Sequence, residues 1–140
     1  MEHEFRGGDD EYRRPNMPGG WPGDSLSVFT REGRTEKENE IYDFASTLGK
    51  WRQTSDAVKY GRLLHFVPQD GIYVYFRIHD NQTVMVVMNQ NEDSVTVPRN
   101  HLSEILDDFN TGINVLNGSV IDLSLDIEVE GKVTWVWELE

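Results

Sequence analysis

The chain has 140 residues, enough for one domain with a buried core, and its 37% hydrophobic and 11% aromatic content is not that of a disordered polymer. Its formal net charge of −12 disfavours nucleic acid and anionic membrane surfaces as partners, because both need a basic patch, while a neutral polymer such as a glucan meets no such penalty. The absence of cysteine excludes disulfides, thiolate zinc sites and cysteine nucleophiles, and no apolar run is long enough to span a bilayer.

Residues 1–35 are dense in Gly, Pro and charge, as in Arg13-Arg14-Pro15 and Pro18-Gly19-Gly20-Trp21-Pro22-Gly23, so no helix or strand is expected to run through them. They carry too few apolar residues to build a core. Residues 36–61 read as helix. Thr35-Glu36-Lys37-Glu38 is a capping box, and Ile41, Phe44, Ala45, Leu48 and Trp51 recur at helical spacing. Thr54 or Ser55 can cap a short second helix through Ala57 and Val58, with Gly61 at its end.

Residues 62–140 read mainly as antiparallel strands. Ile72, Val74, Phe76 and Ile78 alternate with Tyr73, Tyr75, Arg77 and His79, Asp80-Asn81 signals a turn, and Thr83 to Asn89 forms a second strand. A short strand from Ser94 stops at Pro98, and Leu102, Ile105 and Leu106 suggest a helical turn or two. Asn117-Gly118 favours a tight hairpin, Ile121, Leu123, Leu125 and Ile127 alternate again, and after Gly131 a last strand places Val133, Trp135, Trp137 and Leu139 on one face. Short strands at this spacing predict a sandwich.

Candidate chemistry is sparse. The 25 acidic residues fall in loops, near turns or on the polar helix face, where a solvated surface explains them better than a catalytic pair does. His3, His65, His79 and His101 are scattered with no metal-ligand spacing, and no nucleophile elbow or phosphate loop is present. No catalytic residue, metal site or cofactor is therefore expected. Trp135 and Trp137 read as core, while Tyr73, Tyr75 and Trp21 are candidates for stacking on sugar rings.

A series of segments carries a family resemblance. Arg13 to Asp24, with its Pro-Gly-Gly-Trp-Pro-Gly-Asp stretch, resembles the loop after the eighth barrel strand of the α-amylase family (glycoside hydrolase family 13), most of all its neopullulanase and cyclomaltodextrinase-like branch. Leu48-Gly49-Lys50-Trp51-Arg52 resembles that family's final barrel helix, Tyr60-Gly61-Arg62-Leu63 and Phe66-Val67-Pro68 the exit into the C-terminal domain, and Ile72 to Arg77 and Val84 to Asn89 its first long strands. Asn16-Met17 depart from the Asp-Phe that often stands in that loop.

The resemblance implies an antiparallel Greek-key β-sandwich of amylase C-terminal type, preceded by one long and one short helix. It divides the chain into a loop leader (1–35, largely disordered alone), a final barrel helix region (36–61) and the sandwich (62–140). It implies a parent enzyme acting on starch, maltodextrin or related α-glucans, whose catalytic Asp, Glu and Asp lie on barrel strands ahead of this chain. Met1 would then be an engineered start, and this chain alone would be inactive. The expected partners are the catalytic TIM barrel of the parent, α-glucan in the intact enzyme and, for the isolated fragment, a second copy meeting the Ile41–Trp51 stripe. Substrate-binding candidates are Arg13, Arg14, Trp21, Tyr73 and Tyr75. The branch's habits imply a bacterial envelope location, with the cytoplasm as alternative. A stand-alone carbohydrate-binding module and a plain protein-interaction sandwich are the competing functions.

Overall fold

The computed structural model describes residues 17–140. Two units are distinguished among the described residues, one ending at Ser46 and the other Thr47–Glu140, and the division falls inside the helix Glu36–Thr54.

In the first unit, residues 17–35 form a succession of turns. Arg34 stitches them together: its guanidinium donates to Val28 O at 2.7 Å and Asn39 Oδ1 at 2.8 Å, and lies 3.9 Å from the centre of the Tyr42 ring. Helix α1 (Glu36–Thr54) starts at the predicted capping box, where Glu38 N donates to Thr35 Oγ1 at 3.3 Å and Thr35 N to Glu38 Oε2 at 2.9 Å. Ile41 and Phe44 are 58% and 53% exposed, whereas Leu48 and Trp51 at the other end of the stripe are half-buried.

The second unit is the sandwich. Its strands are β1 (Arg62–His65), β2 (Ile72–His79), β3 (Gln82–Asn89), β4 (Val95–Val97), β5 (Thr111–Asn114), β6 (Val120–Asp122), β7 (Ile127–Val129) and β8 (Thr134–Leu139). A six-stranded antiparallel sheet runs β1-β2-β3-β8-β5-β6, so β8 returns to lie between β3 and β5; β4 and β7 pair in a second, two-stranded sheet. A 3₁₀ turn (Arg99–Leu102) and α3 (Ser103–Leu106) follow β4. The predicted alternation holds on β2: Ile72, Val74 and Phe76 face inward, and β2 pairs with β3 in the register Phe76↔Met85. Met85, Val87, Trp137 and Leu139 join them against Leu102, Leu106, Leu123, Ile127 and Val129 from the other layer. The apolar face of each sheet is thereby removed from water.

β3 is buried on both faces, which explains its unbroken Val and Met run. Its outward Val84 and Val86 pack with Ala57 of α2 (Asp56–Tyr60), with Trp51 at the end of α1, and with Tyr75 and Val136. Gln82 secures this docking. Its Oε1 accepts from Ala57 N at 2.8 Å and Ser55 Oγ at 3.1 Å, and its Nε2 donates to Glu138 Oε1 at 3.0 Å. Trp51 Nε1 donates to the same Glu138 oxygen at 2.7 Å. Arg77 caps the other end of α2, donating to the carbonyls of Ala57 and Val58.

Two local expectations change. Leu125 does not belong to a strand: it is 62% exposed in the turn between β6 and β7. The alternation is broken there because Asp122 Oδ1 accepts from Ser124 N and Oγ, while Asp126 Oδ1 accepts from Arg99 N, so the chain turns from one sheet to the other. The Asn117-Gly118 hairpin is longer than a two-residue turn. Asn114 N donates to Ser119 O and Gly118 N to Asn114 O, only Gly118 takes a left-handed φ (+72°), and Asn117 caps Ser119 N. Gly61 ends α2 as expected, with φ −66°. Its small size is what counts, because a Cβ there would collide with the carbonyl oxygens of Ala57 and Ile78. Gly61→Ala is therefore expected to lower stability by about 1–3 kcal/mol, read as a lower urea midpoint; an unchanged midpoint would show that β2 and α2 can part there at little cost.

Candidate functional site

The candidate residues fall in different places. Arg13 and Arg14 lie outside the described residues. Trp21 stands in the first unit, 71% exposed. Tyr73 and Tyr75 share the outward face of β2, half-buried, with ring centres 5.7 Å apart and planes tilted by 39°. His65 on the neighbouring β1 lies 6.1 Å from Tyr73 in an edge-on arrangement. The structure thus brings Tyr73, Tyr75 and His65 into one aromatic row. Tyr75 also packs against the Ala57–Val84–Val86 cluster, so its ring does structural duty.

Burial holds the Tyr75 hydroxyl above the ordinary tyrosine pKa, with Tyr73 adding to the effect and Arg77 opposing it. A tyrosine raised in the folded state resists ionisation there. Its influence on stability is thus absent below the unfolded-state pKa near 10 and turns destabilising as pH rises through and above it. Alkaline difference spectroscopy should find a tyrosine step above the ordinary value near 10, and Tyr75→Phe should remove that step. A titration unchanged in Tyr75→Phe would contradict the assignment.

No catalytic arrangement emerges among the described residues. The carboxyls with displaced pKa values, Glu38, Asp56 and Asp122, are all lowered, by hydrogen bonds from Thr35, Lys59 and Ser124 respectively. A general acid needs the opposite displacement. No cluster of three metal-binding side chains occurs among the described residues, and none of their helices is long and apolar enough to cross a membrane. An open groove of about 530 Å³ lies between the β1–β2 connection and β4, with Phe66, Val67, Ile72, Val97 and Leu102 in its walls and His101 at its edge.

Sequence reasoning missed the polar residue that joins the sandwich layers. Asn89, at the end of β3 and 3% exposed, donates from Nδ2 to the carbonyls of Asp93, Val129 and Glu130, each at 3.0 Å, and accepts at Oδ1 from Asn91 N and Nδ2. The available signal was an Asn closing an apolar strand, which local patterning reads only as the strand's end. Arg99 was missed in the same way. It donates to the carbonyls of Leu106 and Leu123 and pairs with Asp107 at 2.7 Å.

The sheet order and the buried tryptophan of β8 set the frame for comparison with known proteins. The family model described as the cyclo-malto-dextrinase C-terminal domain matches residues 63–138. The chain belongs to that family. The match covers all eight strands but for the first residue of β1 and the last of β8. The chain shares its fold with portions of much larger proteins. An Anoxybacillus α-amylase superposes with a TM-score of 0.61 at 20% identity over 76% of this chain and 23% of that one. The α-amylase of Geobacillus thermoleovorans, solved with acarbose, gives 0.57 at 18% identity over 76% and 24%. A trehalulose synthase, MutB, gives 0.55 at 19% identity over 71% and 18%. The chain thus spans about a quarter or less of these solved structures. The antiparallel sandwich expected from the sequence is the fold found, and the resemblance to the C-terminal part of an α-amylase-family enzyme holds.

Proposed function

We propose that this chain is the non-catalytic C-terminal part of an α-amylase-type glycoside hydrolase acting on starch, maltodextrin or related α-glucans, and that it supports the catalytic barrel. One observation carries the supporting role. The end of α1 is clasped to the sandwich by Trp51, Gln82 and Glu138, while Ile41 and Phe44, further back on the same helix, stay exposed. Such side chains forfeit burial worth about 25 cal/mol per Å² until a partner covers them. The partner proposed is the barrel of the parent chain, seated on the α1 stripe and held in register with the sandwich through the clasp. The membership over residues 63–138 and the likeness to α-amylases roughly three times as long support this reading.

The test is a pair of measurements on the double variant Ile41→Asp and Phe44→Asp. In the isolated chain its unfolding midpoint is expected to match that of the unmodified chain, since both residues are exposed. In the parent enzyme it is expected to lower the melting temperature and the activity that survives heating. Equal thermal stability of the parent with and without the two aspartates would refute the supporting role. Release of reducing sugar from amylose by the purified chain alone would refute its non-catalytic character.

A further inference from the structure

The turn that carries Trp21 is built around a carboxylate. Asp24 Oδ2 accepts from Gly19 N at 2.8 Å and Trp21 N at 3.2 Å, and Asp24 N donates to Trp21 O at 3.3 Å. Gly19 has φ +89° and sits so close to Ser27 that a Cβ would collide with its side chain. The flanks are tied as well: Val28 N donates to Pro18 O at 3.1 Å, and Val28 O accepts from Arg34. A backbone held at this many points presents a large aromatic side chain that is 71% exposed. An apolar indole left in water on an anchored turn is a docking feature, because ordering costs are met before any partner arrives.

The chemistry around it selects the partner. Pro18, Gly19, Gly20, Pro22 and Gly23 carry no charge, and the Asp24 carboxylate is turned inward onto backbone N–H groups. A chain of net charge −12 repels anions. A flat, uncharged ring suits the apolar face of a neutral pyranose, with the indole N–H available to a sugar hydroxyl. We infer that Trp21 is a stacking platform for a neutral α-glucan. The α-linkage rests on the proposed function; the stacking itself rests on the turn.

Titration of the full chain with maltoheptaose tests this, read by tryptophan fluorescence and by the indole N–H signals in nuclear magnetic resonance. Trp51, Trp135 and Trp137 are at least partly buried, so the exposed indole reports separately. Saturable binding that shifts the Trp21 signal is expected. Trp21→Ala should weaken it about tenfold or more, Trp21→Tyr should retain most of it, and Asp24→Ala should weaken it although the indole remains. No saturable response, or equal affinity in Trp21→Ala, overturns the inference. An equal response to cellohexaose overturns the α-glucan assignment. Protection of Trp21 by protein in the parent enzyme, with no sugar response, assigns the turn to domain packing and overturns it too. Barrel support is read from the heat stability of the parent and stacking from sugar binding by this chain with Trp21 altered, so each idea can fail alone.

Discussion

Replacing Asn89 by aspartate is expected to destabilise the sandwich by about 4 kcal/mol at neutral pH, the scale of a buried charge left without a partner. The residue is isosteric, so packing is preserved and the effect is electrostatic. The native amide turns its two N–H bonds toward three carbonyl oxygens, those of Asp93, Val129 and Glu130. A carboxylate there would face three acceptors with no proton to offer and would be buried as well. Asn89→Ala removes the donors without adding charge and is expected to cost about 2–3 kcal/mol, through the carbonyls and the Asn91 N–H left unpaired.

The two variants should diverge with pH. In Asn89→Asp, burial and the carbonyls raise the folded-state pKa of the new carboxyl above its unfolded value of about 4. Its penalty is then smallest at low pH, where the group is protonated in both states. It grows as pH rises above the unfolded value and levels off above the folded one. Urea unfolding of both variants at pH 4 and pH 7, with the slope unchanged and only the midpoint moving, is the measurement. If Asn89→Asp were no less stable than Asn89→Ala at pH 7, the three-carbonyl contact would not exist in solution.

Asn89 also marks where sequence reasoning stops. The alternation of β2 and the inward tryptophan of β8 were legible because each is a local consequence of strand geometry meeting one buried face. The capping box was legible for the same reason, since all its atoms lie within four residues. What joins the elements was not. Trp51 and Glu138 are 87 residues apart, and Asn89 meets carbonyls 40 and 41 residues away. Nothing in either neighbourhood announces those partners. Gly61 and Leu125 show a second kind of loss. Gly61 was legible as the end of α2, but the two carbonyls it must clear belong to α2 and β2, and the second was not. Leu125 fitted an alternation that Asp122 and Asp126 interrupt from their side chains. Of the candidate site, residue types could nominate Trp21, Tyr73 and Tyr75. That Asp24 fixes the turn beneath Trp21, and that Tyr75 is claimed by the core, required coordinates. The Asp70-Gly71 turn into β2 was legible in principle: both residues have positive φ, and Gln69 and Ile72 exchange hydrogen bonds across them.

Trp51→Ala is expected to destabilise the chain by about 2–3 kcal/mol, below the range for a fully buried tryptophan because the ring is half-buried. Two losses contribute. The indole leaves the cluster formed with Ala57, Val84 and Val86, and Glu138 Oε1 loses its 2.7 Å donor. Trp51→Phe separates them: most of the packing remains, the N–H is gone, and a cost of about 1 kcal/mol is expected. Gln82 still donates to Glu138 in that variant, so the carboxylate is not stranded. Because the clasp lies on the outward face of β3 and β8, the inner core of Phe76, Met85 and Trp137 should be untouched. Amide exchange should therefore speed up first in α2 and the last turn of α1, with the strands protected until global unfolding. If Trp51→Ala melted like the unmodified chain, or if exchange rose equally in β5 and β8, α1 would not be anchored through Trp51. The proposed transmission of support from sandwich to barrel would then have no physical path.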